Sequence, residues 1–146
     1  MKKSEKAIEF FSNNFNCAQS VLAVFAQDFG LSEDQCLKIS CAFGGGIGRQ
    51  QLTCGAVTGA LMALGLKYGR GLKDDNQKKA ETYQKTVEFM KEFKKKHGSI
   101  NCKELLQGLD MGIEEDMKKI NELKLHDTIC VECVKDAVEI AEKMIS

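Results

Sequence analysis

The chain has 146 residues, with Lys plus Arg and Asp plus Glu balanced at 21 each, seven cysteines and no proline. Zero net formal charge leaves no basic surplus for nucleic acid or an anionic membrane surface, and this length can bury a core as a single cysteine-rich domain over residues 1–146. Glu5, Glu9 and Asn13 interrupt any apolar leader, so a cytoplasmic chain is expected. Its odd cysteine count then reads as thiols or metal ligands rather than a closed disulfide framework.

The absence of proline and the abundance of Ala, Lys, Glu, Leu and Met predict an all-α helical bundle. A first helix should run from about Ser4, in a capping box with Ala7 at its last position, to Asn13, with Ala7, Ile8, Phe10 and Phe11 apolar. Asn16 is the cap of a second helix, whose first residue is Cys17 and whose stop is Gly30. Ser32 and Gln35 form a capping box opening a third helix through about Phe43, with Cys36 and Cys41 in its body. The glycine turn Gly44 to Gly48 then runs into an apolar helix capped by Thr53, with Cys54 in its first turn. Gly55, Gly59 and Ala63 form a small-residue stripe there, and Val57, Leu61, Met62, Leu64 and Leu66 fill the other sides. A helix apolar all round is buried, and this one is too short to cross a bilayer, so it is expected to be the bundle's Gly/Ala-rich centre.

Next comes a long helix from about Lys73–Asp75 to Gly98, with Ala80, Tyr83, Val87, Met90 and Phe93 on its apolar face. Glu81 with Lys85 and Glu92 with Lys96 are its expected ion pairs. Asn101 caps a short helix beginning at Cys102, and Ile113, Met117, Ile120 and Leu123 mark another segment. Asp127 or Thr128 caps the last helix, which carries Ile129, Cys130, Cys133, Val134, Ala137, Ile140, Ala141 and Met144 on one face.

Cys17, Cys54, Cys102 and Cys130 therefore each follow a capping residue, where free N–H groups and the helix dipole favour a thiolate. Cys54 should be the most reactive, because the glycine loop gives access and Arg49 adds positive charge, whereas Cys36 and Cys41 should be buried and inert. Cys130-Val-Glu-Cys133 puts two sulfurs on one helical face, with a continuing apolar stripe an equally good account of Cys133. No βαβ unit surrounds it, no second Cys-x-x-Cys completes a zinc ribbon, and Val134 excludes c-type haem attachment. The glycine turn lacks a preceding strand and a following Lys-Ser/Thr, so it is no phosphate loop. His97 and His126 sit at helix ends and read as neither ligand nor base, and no Ser/His/Asp set or carboxylate pair emerges.

NCAQSVL at 16–22, FGGGIGRQQLTCGAVTGALMALGLKYG at 43–69, CKELL at 102–106 and the terminal CVECVKDAVEIAE together resemble the redox-active protein family named C_GCAxxG_C_C for its cysteine pattern. The resemblance covers nearly the whole chain and falls on Cys17, Cys54, Cys102 and Cys130. It implies redox activity and a frequent genomic association with transporters. Three functions are carried forward. In the first, Cys54 and Cys130 are low-pKa thiolates, with Cys17, Cys102 or Cys133 as resolving partners in a reversible disulfide serving a redox partner. In the second, Cys17, Cys54, Cys102 and Cys130 converge on a soft metal ion or an iron–sulfur cluster. The third is structural, a dimerising helical protein whose cysteines are all buried.

Overall fold

Asn16, Ser32, Asp75 and Asn101 start helices in the fold as they do in the sequence. In a computed structural model, which describes residues 1–146, Asn16 and Ser32 both form full capping boxes. Asn16 accepts from Gln19 N–H to open α2 (Cys17–Ala23), and Ser32 accepts from Gln35 N–H to open α3 (Glu33–Ser40). The first helix, α1 (Lys3–Ser12), begins earlier than expected, with Lys2 rather than Ser4 as its cap and the Lys2 N–H donating to Glu5 Oε2 at 3.3 Å. Gly98 stops the long helix in the left-handed conformation that a side chain resists, whereas α2 ends at Ala23, short of Gly30, and Gly30 instead stops a separate 3₁₀ turn (Gln27–Phe29) in that conformation. The remaining helices are α4 (Gly55–Tyr68), α5 (Asn76–His97), α6 (Cys102–Leu105), α7 (Glu114–Glu122) and α8 (Val131–Ile145). The chain contains no strand, only an isolated antiparallel bridge between Thr53 and Asn101. No helix is long and apolar enough to cross a membrane.

α4 packs against α2, α5 and α8, and α1 lies across α2 and α8. The α2–α4 crossing is close because glycines face it. A methyl group on Gly59 would lie 2.7 Å from the Ala18 carbonyl oxygen, and one on Gly55 would lie 2.7 Å from the Cys17 sulfur. The core is a cluster of 22 buried residues drawn mainly from α2, α4, α5 and α8. A satellite of Cys102, Leu106, Ile120 and Leu125 lies beneath the α6–α7 segment.

Two expectations for the long helix do not hold. Its buried residues are Phe89 and Phe93, while Tyr83 and Val87 stay exposed, because α5 meets the bundle only along its C-terminal half. Its ion pairs form at i,i+3, Lys85 with Glu88 and Lys95 with Glu92, rather than at i,i+4.

The last helix also begins differently. Asp127 and Thr128 do not cap a free helix start. Residues His126–Cys130 form a π turn that runs directly into α8, so Cys130 lies inside a continuous helix. A π turn accommodates one extra residue within a helix and recurs at functional sites.

Candidate functional site

The turn between α3 and α4 has backbone geometry of an uncommon kind. Gly45, Gly46, Ile47, Gly48 and Arg49 all have positive φ, between 58° and 69°, and Gln51 follows at 58°. Glycine adopts this conformation freely, whereas Ile47, Arg49 and Gln51 do so at about 1–2 kcal/mol each. The strained turn is anchored by Gln51. Its buried side chain donates to the Leu109 carbonyl at 2.8 Å and accepts from the Met111 N–H at 2.8 Å. Gln51→Ala leaves both backbone groups unpaired, so a loss of about 2 kcal/mol in urea unfolding is expected, with little change in slope.

After the turn the chain runs antiparallel to residues 100–102. Cys54 N–H donates to Ile100 O and Cys102 N–H to Leu52 O, each at 2.7 Å. This two-bond ladder joins the start of α4 to the start of α6, and no local sequence pattern announces it. Asn16 ties in the third helix start, because its side-chain amide donates to Cys41 O at 2.9 Å while its oxygen caps α2.

These anchors bring the predicted cysteines together. Cys17, Cys54, Cys102 and Cys130 all line one cavity of about 770 Å³, with Cys133 and Cys41 beside them. Cys36 is buried elsewhere, as expected. Cys41 is not. It is exposed in a 3₁₀ turn at the cavity wall, because α3 ends at Ser40.

The electrostatics reverse the expectation for Cys54. Cys54 is itself the cap of α4, in place of Thr53, and only 7% of it is exposed. Its proton is held far above the ordinary thiol range, first by a hydrogen bond to Cys133 and then by burial, with Cys17 and the Ala56 N–H acting in the opposite direction. Cys17 is also pushed well up, first by Cys54 and then by burial, against the Gly45 N–H that faces its sulfur. Burial raises Cys102 to about 11 and Cys130 to about 12. Cys17, Cys54, Cys102 and Cys130 are therefore thiols, not thiolates, at neutral pH, because neighbouring thiols at Cys17 and Cys54 and desolvation at Cys102 and Cys130 outweigh the helix ends. Arg49 acts elsewhere: it lies near His126, whose pKa is lowered by burial first and by Arg49 second. His126 lines the cavity, and its Nε2 is buried with no hydrogen-bond partner.

Cys54 thus has two thiol neighbours that act on its proton, Cys133 most strongly and Cys17 in the opposite direction. At the far end, Cys133 Sγ lies 3.8 Å from His97 Nδ1, and His97 Nε2 lies 2.8 Å from Asp136 Oδ2. Sequence reasoning passed over both His97 and Asp136, which are 39 residues apart and joined only by the packing of α5 on α8. All seven cysteines are free thiols. No three His, Cys, Asp or Glu side chains stand close enough together to ligate a single metal ion.

The family model described as "Putative redox-active protein (C_GCAxxG_C_C)" matches residues 15–144. A protein of Archaeoglobus fulgidus, described as an uncharacterized protein, is 30% identical over 152 residues, which cover 96% of this chain and 93% of that one. No solved structure matches the chain.

Proposed function

The chain belongs to the C_GCAxxG_C_C family, described as redox-active, and from that premise we propose that its redox centre is a thiol pair formed by Cys54 with Cys17 or Cys133. The observation that carries this reading is the position of Cys54, which shares one cavity wall with Cys17 and Cys133 and has its proton influenced by both. Two thiols in contact lose two electrons and two protons to give one disulfide, and regain them from a reductant. The cavity admits the exchanging partner. Cys102 and Cys130 face the same space and extend the sulfur-lined wall.

The test is oxidation of the reduced protein by a glutathione redox series, followed by thiol counting and peptide mapping. Two thiols should disappear together, and the mapped bridge should contain Cys54. A bridge that leaves Cys54 free, or no reversible loss of thiols, overturns the reading.

The shared cavity supports a second reading. Cys17, Cys54, Cys102 and Cys130 provide the four soft donors that an iron–sulfur cluster or a soft metal ion takes, and a cluster's larger span suits sulfurs spread around a wall better than a single ion does. Anaerobic purification with metal analysis and a visible spectrum separates the two. A stoichiometric coloured centre favours the cluster, and a colourless protein with a redox-titrating thiol pair favours the disulfide.

A further inference from the structure

We propose that Cys133 is the thiol that opens the exchange, with His97 as its proton acceptor and Asp136 as the residue that positions His97. This deepens the thiol reading of the same site and rests on it. Cys133 and Asp136 are three residues apart on α8, so one helical turn presents both to the same neighbour. That neighbour is His97, the last residue of α5, and it fits between them. Asp136 Oδ2 accepts from His97 Nε2 at 2.8 Å, and in the neutral imidazole that tautomer makes Nδ1 the acceptor facing Cys133 Sγ at 3.8 Å. A long contact of this kind shortens when a substrate closes the site.

The imidazole is held on its other face by Phe93, with ring centroids 4.7 Å apart, and only 12% of its side chain is exposed. It sits in the last turn of α5, where the helix dipole favours the cation that proton transfer would create. The charged or titratable groups facing this site are Asp136, the Lys96 ammonium 3.9 Å from Asp136 Oδ1, and the Cys54 thiol on the far side of Cys133. A surface ion pair would not need a buried cysteine at its end. Here the carboxylate, the imidazole and two thiols form one line ending at the cavity wall.

The chemistry balances with a disulfide as the oxidant. Cys133 gives its proton to His97 Nδ1, and the thiolate attacks one sulfur of the substrate disulfide. The substrate S–S bond breaks, a mixed disulfide forms at Cys133, and the departing thiolate takes the proton from His97. Cys54 then attacks the Cys133 sulfur, and the second substrate half leaves carrying the Cys54 proton. The protein gains one disulfide, and one substrate disulfide becomes two thiols.

The test measures thiolate formation without requiring exchange. Fully reduced full-length protein is treated with iodoacetamide across a pH series, and the tryptic peptide of residues 125–135 is sequenced by fragmentation to separate Cys130 from Cys133. At pH 7 Cys133 should label first of the buried cysteines. His97→Gln should slow it by about a hundredfold, within the range of a general base. The variant's rate should climb with pH until the two proteins converge in the alkaline range, where hydroxide replaces the imidazole. Asp136→Asn should give a smaller loss in the same direction and should keep the helical spectrum if His97→Gln weakens the fold. Equal Cys133 labelling in wild type and both variants overturns the proposal, as does labelling of Cys54 or Cys17 ahead of Cys133. Failure of the thiol reading would look different, because Cys133 would still depend on His97 while no bridge to Cys54 formed on oxidation.

Discussion

Cys54→Ser protein should lose the reversible thiol couple entirely and yet remain folded. Cys54 is the thiol whose proton is acted on by both Cys17 and Cys133, so its removal takes away the partner the proposed pair requires. An oxygen cannot form a disulfide, and the two-thiol step in the glutathione series should vanish. Retention of fold follows from the position. Cys54 is the cap of α4 and the Ala56 N–H faces its sulfur, a role for which serine is among the preferred residues. That gain offsets part of the cost of burying a hydroxyl, so a net change within about 2 kcal/mol is expected. Circular dichroism checks the fold and thiol counting checks the chemistry. A Cys54→Ser protein that still titrates two thiols reversibly would place the redox pair elsewhere in the cavity.

Alkaline sensitivity should be the second large effect. Burial raises Cys102 to about 11 and Cys130 to about 12, and a neighbouring thiol first and burial after it hold Cys17 and Cys54 well above the ordinary range. The unfolded chain releases these protons near pH 8.5, so above that pH the folded state binds more protons than the unfolded one and stability falls as pH rises. The contribution is intact below pH 8.5 and is lost progressively through the alkaline range. Each thiol that remains protonated costs about 1.4 kcal/mol per pH unit, so four together exhaust the usual 5–15 kcal/mol within about one to three units. The reduced protein, unfolded anaerobically and followed by circular dichroism, should lose its helices cooperatively near pH 10–11. A Cys102→Ser, Cys130→Ser protein should be weaker at neutrality but less steeply affected by alkali. The same slope in both would show that these thiols are better solvated than their burial implies.

Most of the helical architecture was legible because helices announce their ends locally. Asn16 with Gln19, Ser32 with Gln35 and Gly98 each act within four residues of themselves, and each appears where the pattern put it, whereas Gly30 ends a 3₁₀ turn beyond α2. The gathering of Cys17, Cys54, Cys102 and Cys130 at one cavity was partly legible for the same reason, since a cap followed by cysteine marks Cys17 and Cys102. Their protonation was not. The dipole argument sees the backbone next to a sulfur, whereas the desolvation that dominates comes from residues distant in sequence. For Cys130 even the helix start was misread, because a π turn carries no periodic pattern distinguishable from the helix it interrupts. Gln51, His97 and Asp136 were missed on similar grounds. Each is defined by a partner 36 to 60 residues away, and a polar residue at a helix end or in a loop has an ordinary local explanation.

The left-handed run from Gly45 to Arg49 works as a grain boundary. Helices grow cheaply once nucleated, and residues 41–54 lie between α3 and α4. Right-handed growth cannot pass through a turn of opposite hand, however favourable the side chains on either side, because the carbonyls on its two flanks point out of register. Order and disorder in α3 are thereby kept from spreading into α4 by continuous winding. The Cys54 end of α4 is a true terminus, and its first amides remain free to face sulfur.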